Sequence, residues 1–213
     1  MFVKTRMTTH PFTVTPEHSV PEATAIMEER NVRQLPVLED GHLVGVISHG
    51  DIAAASPSPA TSLSVNEITY LMGKLKVGRV MSRHPITVSP DALLEQAATL
   101  LRDNKIEMLP VMDGTKLVGV ITESDIMDSF IELLGFRDPG TRLTIEAPDA
   151  PGVLSELTGI TGEYGANISH LAVYRGSGER STVVVGVNSL NTDDMEAEFA
   201  AHGFRILSKL TNV

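Results

Sequence analysis

The chain has 213 residues, of which 42% are hydrophobic, and this is enough for one or two packed domains. It contains no cysteine, which excludes disulfides, thiol nucleophiles and cysteine-ligated metals. A formal net charge of −10 and an aromatic content of 4% argue against nucleic-acid binding, which needs basic patches and stacking rings. The apolar runs are too short to span a membrane, so we expect a cytoplasmic protein without membrane contact.

The first predicted helix begins at Pro16, and its apolar residues recur at helical spacing: Val20, Ala23, Ile26 and Met27. Two short strands are predicted next, over 35–38 and 43–47. Glu39-Asp40-Gly41-His42 joins them, and a carboxylate-glycine turn between apolar runs indicates a β-hairpin. A second helix is expected from about His49.

The same pattern returns 74 residues later without a gap. The repeated pairs are Met7/Met81, His10-Pro11/His84-Pro85, Thr13-Val14/Thr87-Val88, Leu35-Pro36-Val37/Leu109-Pro110-Val111 and the runs 43–47/117–121. In the second copy the helix predicted to begin at Pro90 carries Leu93, Ala97, Leu100 and Leu101 on its apolar face, and the later helix begins near Glu123. The period is too long for common solenoid repeats, so each copy is predicted to be a small α/β unit.

The pattern changes after a short linker over 137–140. A strand is predicted over 143–147, a helix over 152–164, strands over 168–174 and 182–187, a helix over 193–201 and a strand over 204–210. This βαββαβ order is the ferredoxin-like arrangement. The predicted fold class is therefore α/β (α+β), with domains at 1–64, 65–136 and 140–213.

Each copy has a hydroxyl followed three residues later by a carboxylate, directly after the strand-like run LVGVI. The pairs are Ser48 with Asp51 and Thr122 with Asp125. One interpretation is a helix start, in which the hydroxyl caps the helix and the carboxylate completes a capping box. The other is a ligand site, because a carboxylate suits a vicinal diol and a helix start suits an anion. The two roles are compatible.

The doubled pattern of LPV, turn, LVGVI and S/T-x-x-D resembles a pair of cystathionine-β-synthase (CBS) domains, the Bateman module, over 3–134. The resemblance implies two copies packed about a pseudo-twofold axis, with clefts that hold adenosine ligands. It implies that Asp51 and Asp125 accept hydrogen bonds from ribose and that Ser48 and Thr122 face phosphate. Thr13 and Thr87 correspond to positions that line the adenine pocket in the family, although ordinary strand packing explains them equally well.

The two copies differ just before LPV, where the family often has basic residues. Arg33 in the first copy can supply a guanidinium for bidentate phosphate contact. Glu107 stands at the equivalent place in the second copy, so a polyphosphate is disfavoured there. AMP, S-adenosylmethionine or no ligand suits that copy better.

The C-terminal segment resembles ACT domains, which are amino-acid-sensing modules. The similarity lies in Asp149-Ala150-Pro151-Gly152-Val153-Leu154 and in Asn167-Ile168. It implies an amino-acid site between two such domains, with Asp149 or Asn167 meeting the ammonium group and Gly152, Val153, Leu154 and Ile168 around the ligand. The alternatives are that Asp149 or a neighbour only caps the helix, and that the domain only associates.

Two CBS copies followed by one ACT domain resemble the acetoin-utilisation (AcuB-type) family. This implies a non-catalytic regulatory homodimer that binds an adenine nucleotide (AMP, ADP or ATP) or S-adenosylmethionine and controls a metabolic protein partner that the sequence does not identify. No histidine spacing typical of a metal site and no nucleophile motif is present, so no metal and no catalytic cofactor is expected. The alternatives are a structural interaction module with degenerate sites and, with least support, an enzyme.

Overall fold

The computed structural model describes residues 1–57, 64–176 and 178–213. The chain forms two compact units, residues 1–127 and 128–213. No helix within the described residues is long and apolar enough to cross a bilayer.

The first unit contains both copies of the duplicated sequence. Its helices are α1 (Val20–Glu29), α2 (His49–Ala55), α3 (Val65–Lys74), α4 (Val77–Val80), α5 (Leu94–Asn104) and the start of α6 (Glu123–Leu133). Its strands are β1 (Thr8–Thr9), β2 (Gln34–Glu39), β3 (His42–Ser48), β4 (Ser82–Arg83), β5 (Met108–Asp113) and β6 (Lys116–Thr122). The predicted hairpins are confirmed as β2–β3 and β5–β6.

The two copies exchange their first strands. The order of one sheet is β1-β6-β5, so the first strand of copy one pairs with the hairpin of copy two, and Thr8 lies opposite Val120. The other sheet has the order β2-β3-β4, and Ser82 lies opposite Val46 at the equivalent register. Neither copy therefore completes its sheet without a strand from the other.

The cores of the two copies repeat with the same offset of 74 residues. Copy one is built on Val14, Ala23, Met27, Leu35, Val37, Ile47, Val77 and Met81. Copy two is built on Val3, Val88, Leu94, Ala97, Leu101, Leu109, Val111 and Ile121. Val3 and Val77, which precede the exchanged strands, are fully buried in the core of the opposite copy. A third small cluster joins the copies through Val46, Met108 and Val120.

The backbone conformation repeats as well. His10 and His84 both have φ near +52°, and Asn31 and Lys105 have φ of +51° and +54°. In the first hairpin Asp40 and Gly41 both have positive φ, which is the type I′ turn that suits two twisted strands. The duplication therefore extends to unusual conformations that few residues adopt readily.

Two details of the predicted helices were wrong. The helices begin at Val20 and Leu94 rather than at Pro16 and Pro90, because a turn separates each proline from its helix. Leu93 precedes its helix and is 44% exposed, while Leu94 takes the buried position.

The second unit follows the predicted βαββαβ order. Its elements after α6 are β7 (Gly140–Pro148), α7 (Val153–Glu163), β8 (Ile168–Arg175), β9 (Arg180–Val187), α8 (Asp193–Ala201) and β10 (Arg205–Asn212). The antiparallel sheet has the order β10-β7-β9-β8, as in ferredoxin-like folds. Both helices pack on one face of this sheet through Leu157, Ile160, Met195 and Phe199.

Candidate ligand-binding cleft

The hydroxyl–carboxylate pair of copy one forms a capping box at the start of α2. The Asp51 Oδ2 atom accepts hydrogen bonds from the Ser48 N–H at 2.8 Å and the Ser48 hydroxyl at 2.5 Å. The Asp51 N–H in turn donates to Ser48 Oγ at 3.0 Å. The second carboxylate oxygen, Oδ1, accepts from the Ser82 hydroxyl at 3.1 Å, so the strand exchanged from copy two also contacts this carboxylate.

Copy two repeats the arrangement at the start of α6. The Asp125 Oδ2 atom accepts from the Thr122 N–H at 2.8 Å and from the Thr122 hydroxyl at 2.7 Å. The Asp125 N–H donates to Thr122 Oγ1 at 3.3 Å. The helix-start interpretation is therefore correct for both copies, and it leaves the ligand role open, because an ionised carboxylate offers about four acceptor positions.

A cleft of about 900 Å³ lies between the two copies. From copy two it is lined by Glu107, Met108, Val120, Thr122, Glu123, Ser124 and Asp125. From copy one it is lined by Thr8, His10, Pro11, Phe12, Met27, Glu28, Arg30, Asn31, Val32, Arg33, Gln34, Leu35, Pro36 and His49. Its size falls within the usual range for a small-molecule site, about 300–1,000 Å³.

The cleft brings together three of the seven residues predicted to bind a nucleotide: Arg33, Thr122 and Asp125. They come from different copies, and the predicted phosphate-binding guanidinium therefore shares a cleft with the hydroxyl–carboxylate pair of the opposite copy. The backbone fixes Arg33 locally, because its carbonyl oxygen accepts a hydrogen bond from the His49 N–H at 3.1 Å.

The other four predicted residues are not among the residues that line this cleft. Ser48 and Asp51 lie at the start of α2 in copy one. Thr13 and Thr87 precede Val14 and Val88, which form parallel bridges to β2 and β5. Their role in ligand binding stays a prediction.

Sequence reasoning missed a contact at the cleft wall. The Arg30 guanidinium lies over the Phe12 ring, 4.7 Å from its centroid, and also pairs with Glu29 at 3.0 Å. Phe12 directly follows His10-Pro11, so the duplicated histidine–proline motif was the sequence feature that could have drawn attention to this residue. An exposed aromatic ring next to a cleft offers an apolar surface for a flat ligand.

The second unit has a cavity of about 470 Å³ at the loop between β7 and α7. Asp149, Gly152, Val153 and Leu154, four of the six residues predicted for an amino-acid site, line it. Asp149 does not cap α7, for which no side-chain cap is present. Its carboxylate instead pairs with Arg175 Nε at 3.2 Å.

The remaining two predicted residues, Asn167 and Ile168, lie at the opposite end of α7. The Asn167 N–H donates to the Asn188 side-chain oxygen at 2.8 Å, and Ile168 begins β8 opposite Val187. The structure of one chain therefore does not bring them together with Asp149.

The second unit also contains a serine, a histidine and an aspartate in contact. His170 Nδ1 lies 3.1 Å from Ser169 Oγ, and His170 Nε2 lies 3.3 Å from Asp138 Oδ2. The adjacent space is only about 10 Å³, which is too small for a substrate. These contacts hold the linker against the sheet, where Gly135 lies so close to His170 that no Cβ would fit.

No group of three or more potential metal ligands occurs among the residues that the structure describes.

Comparison with known proteins identifies the duplicated unit. The sequence model of the CBS domain matches residues 3–58 and 77–132. The CBS domain-containing protein YhcV of Bacillus subtilis is 32% identical over 124 residues, which are 58% of this chain and 81% of that protein. An inosine-5'-monophosphate dehydrogenase of Korarchaeum cryptofilum is 31% identical, but the match covers only 26% of that enzyme.

Three solved structures share the fold of this region. CBSX2, crystallised in complex with AMP, is 33% identical with a TM-score of 0.51, over 62% of this chain and 96% of that one. A Vibrio cholerae protein assigned to acetoin utilization (AcuB) is 30% identical with a TM-score of 0.54, over 65% and 96%. The CBS pair of MJ0100, in complex with 5'-methylthioadenosine and S-adenosyl-L-methionine, is 28% identical with a TM-score of 0.51, over 61% and 95%.

The duplicated sequence, the exchanged strands and the match of both copies to one family lead to the same conclusion: this chain belongs to the CBS-domain family.

Proposed function

We propose that the chain is a non-catalytic regulatory protein that senses an adenosine-containing ligand, from the group AMP, ADP, ATP and S-adenosylmethionine, in the cleft between its CBS copies. One observation carries this proposal: Thr122 and Asp125 of one copy and Arg33 of the other line the same cleft of about 900 Å³.

The chemistry of these groups suits a nucleoside. Thr122 holds the Asp125 carboxylate at a helix start beside the cleft, and an ionised carboxylate is an acceptor that suits the two hydroxyls of a ribose, which supports a nucleoside as the ligand. Arg33 provides a planar guanidinium for a phosphate or a carboxylate. Phe12 adds an aromatic surface beside the cleft for the base.

Relatives support this class of ligand. CBSX2 was crystallised with AMP and MJ0100 with S-adenosyl-L-methionine and 5'-methylthioadenosine. A regulatory rather than a catalytic role is supported because the matched dehydrogenase shares only its CBS portion with this chain, whereas YhcV is matched over most of its length.

Regulation would act by population shift. A ligand that contacts both copies stabilises the arrangement that it fits best, and a partner protein responds to that arrangement. The likeness to AcuB favours a partner in acetoin metabolism, and the ACT-like second unit favours an amino acid as a second ligand. The proposal of an amino-acid ligand includes a homodimer, because the resemblance to ACT domains implies a site between two copies of the second unit.

Isothermal titration calorimetry on the full chain tests the adenosine site. Asp125→Ala is expected to abolish or strongly weaken binding, whereas Glu22→Ala is the matched control, since it removes a capping-box carboxylate at the start of α1 that lies outside this cleft. At a concentration of about 100 times its Kd, a ligand should also stabilise the wild-type chain by about 2.7 kcal/mol. If no adenosine compound binds, the chain is a structural interaction module instead.

A further inference from the structure

Glu107 lines the same cleft as Arg33, although the two residues occupy equivalent positions in the duplicated sequence. The sequence alone assigned them to separate sites. In the structure Gln34 Nε2 donates a hydrogen bond to Glu107 Oε2 at 3.4 Å, which links the two copies and positions the glutamate.

Only one of the two arginines in the cleft is available for a ligand. Arg30 is engaged by the Phe12 ring and the Glu29 carboxylate. The Arg33 guanidinium forms no hydrogen bond or ion pair within the part of the chain that the structure describes, and its side chain is exposed to the cleft. One guanidinium can hold one phosphate through a bidentate contact.

The cleft as a whole is acidic. Four carboxylate residues line it, namely Glu28, Glu107, Glu123 and Asp125, against the two arginines Arg30 and Arg33, so its formal charge is −2 with histidines neutral. Glu107 and Glu123 are adjacent in the backbone, because the Glu123 N–H donates to the Glu107 carbonyl oxygen at 3.1 Å. Charges inside a cleft are screened less than charges on an open surface, so each further phosphate increases the repulsion.

We infer, on the basis of the proposed function, that Glu107 is a specificity determinant that restricts the cleft to adenosine compounds with at most one phosphate. Arg33 can pair with one phosphate and offset part of its charge, and a second and third phosphate would add negative charge in a cleft that is lined by Glu107 and Glu123 and has no second unengaged arginine. AMP fits this limit, and so does S-adenosylmethionine, whose 5' substituent carries a positive sulfonium instead of a phosphate.

Titration calorimetry of the full chain with AMP, S-adenosylmethionine and ATP, in buffer without divalent cations, tests the inference. The wild type is expected to bind AMP at least about tenfold more tightly than ATP. Glu107→Gln keeps the shape and the contact with Gln34 but removes the charge, so it should reduce the AMP preference by about three- to tenfold, mainly through tighter ATP binding. It should not tighten the binding of S-adenosylmethionine.

Glu39→Gln is the matched control, because it removes one exposed acidic charge from β2 outside the cleft, and it should leave the AMP-to-ATP ratio unchanged. Glu107→Ala is a second test that removes the charge without introducing an amide side chain. Thermal unfolding verifies that this variant is folded. If the wild type binds ATP as tightly as AMP or more tightly, the inference is wrong. It is also wrong if the AMP-to-ATP affinity ratio is unchanged in both Glu107 variants. Either result leaves the proposed function standing. Failure of every adenosine compound to bind the wild type overturns the proposed function and the inference with it.

Discussion

Thr122 and Asp125 hold each other at the start of α6: the carboxylate accepts from the threonine N–H and hydroxyl, and the aspartate N–H donates back to that hydroxyl. This reciprocal contact shows that one pair of side chains can begin a helix and also present a carboxylate to a cleft. The structural role of this pair can be measured by unfolding experiments, and its proposed role in ligand binding can be measured separately by calorimetry.

Thr122→Ala should lower the free energy of unfolding by about 1 kcal/mol, because the helix loses its cap and the carboxylate loses a donor. Urea denaturation followed by circular dichroism measures this change. Thr122→Ser keeps a hydroxyl and is expected to stay within about 0.5 kcal/mol of the wild type. Equal stability of the alanine and serine variants would show that the cap contributes nothing.

Gly119→Ala should disrupt the exchange of strands. A Cβ at this position would lie 2.8 Å from the Thr8 carbonyl oxygen and 2.8 Å from Met7 Sδ, and the backbone oxygen cannot rotate away. Overpacking of this kind typically costs about 1–3 kcal/mol, so we expect a loss of that size in urea denaturation.

The structure offers two controls for this substitution. Gly45→Ala meets Met81 and Ser82 in the same way at the equivalent position and should cost a similar amount. Gly73→Ala lies in α3 with no described atom within 4 Å of the new Cβ, and it should be neutral or stabilising by up to about 1 kcal/mol. A harmless Gly119→Ala would mean that the exchanged strand is not packed as described.

The stability of the second unit should depend on pH through His202. Its Nδ1 atom lies 2.6 Å from Glu156 Oε1 and its Nε2 atom 3.2 Å from Glu198 Oε1. The hydrogen bond with Glu156 is the main reason that the pKa of His202 is raised above its ordinary value of 6.5. Because folding raises this pKa, the stabilisation is fully present below 6.5 and is lost as the pH rises through the raised value.

His202→Asn should therefore lower the Tm of the second unit more at about pH 5.5 than at about pH 8.5. Thermal unfolding of both proteins at the two pH values, at equal ionic strength, measures the difference. An equal loss at both values, or a larger loss at the higher one, would contradict the pairing of a protonated His202 with Glu156.

Asp149→Asn tests the amino-acid site that we propose for the second unit. The Asp149–Arg175 pair is partly exposed, with side-chain exposures of 35% and 65%, and surface ion pairs contribute only about 0–1 kcal/mol. We expect the variant to unfold within about 1 kcal/mol of the wild type but to lose calorimetric binding of any amino acid that the wild type binds. Large destabilisation with unchanged amino-acid binding would assign Asp149 a structural role alone.

Much of this molecule follows from local sequence patterns. The offset of 74 residues predicted two equivalent copies, and the Asp40-Gly41 turn predicted the hairpin, because only a few residues accept the required positive φ. The βαββαβ order of the second unit likewise follows from the spacing of apolar residues, which changes along the chain between the patterns typical of strands and of helices. Even the reciprocal contacts of Ser48 with Asp51 were available from their spacing of three residues.

The tertiary structure alone decided which copy each first strand joins and therefore which side chains share a cleft. No local pattern distinguishes a strand that pairs within its own copy from one that pairs with the other, since the duplicated hairpins present the same edge to both. The exchange places Val3 in the opposite core, and the packing of the copies brings Arg33, Glu107 and Asp125 around one cleft. Spacing along the chain determines helices and turns, whereas the charge that a ligand meets depends on contacts between segments far apart in sequence.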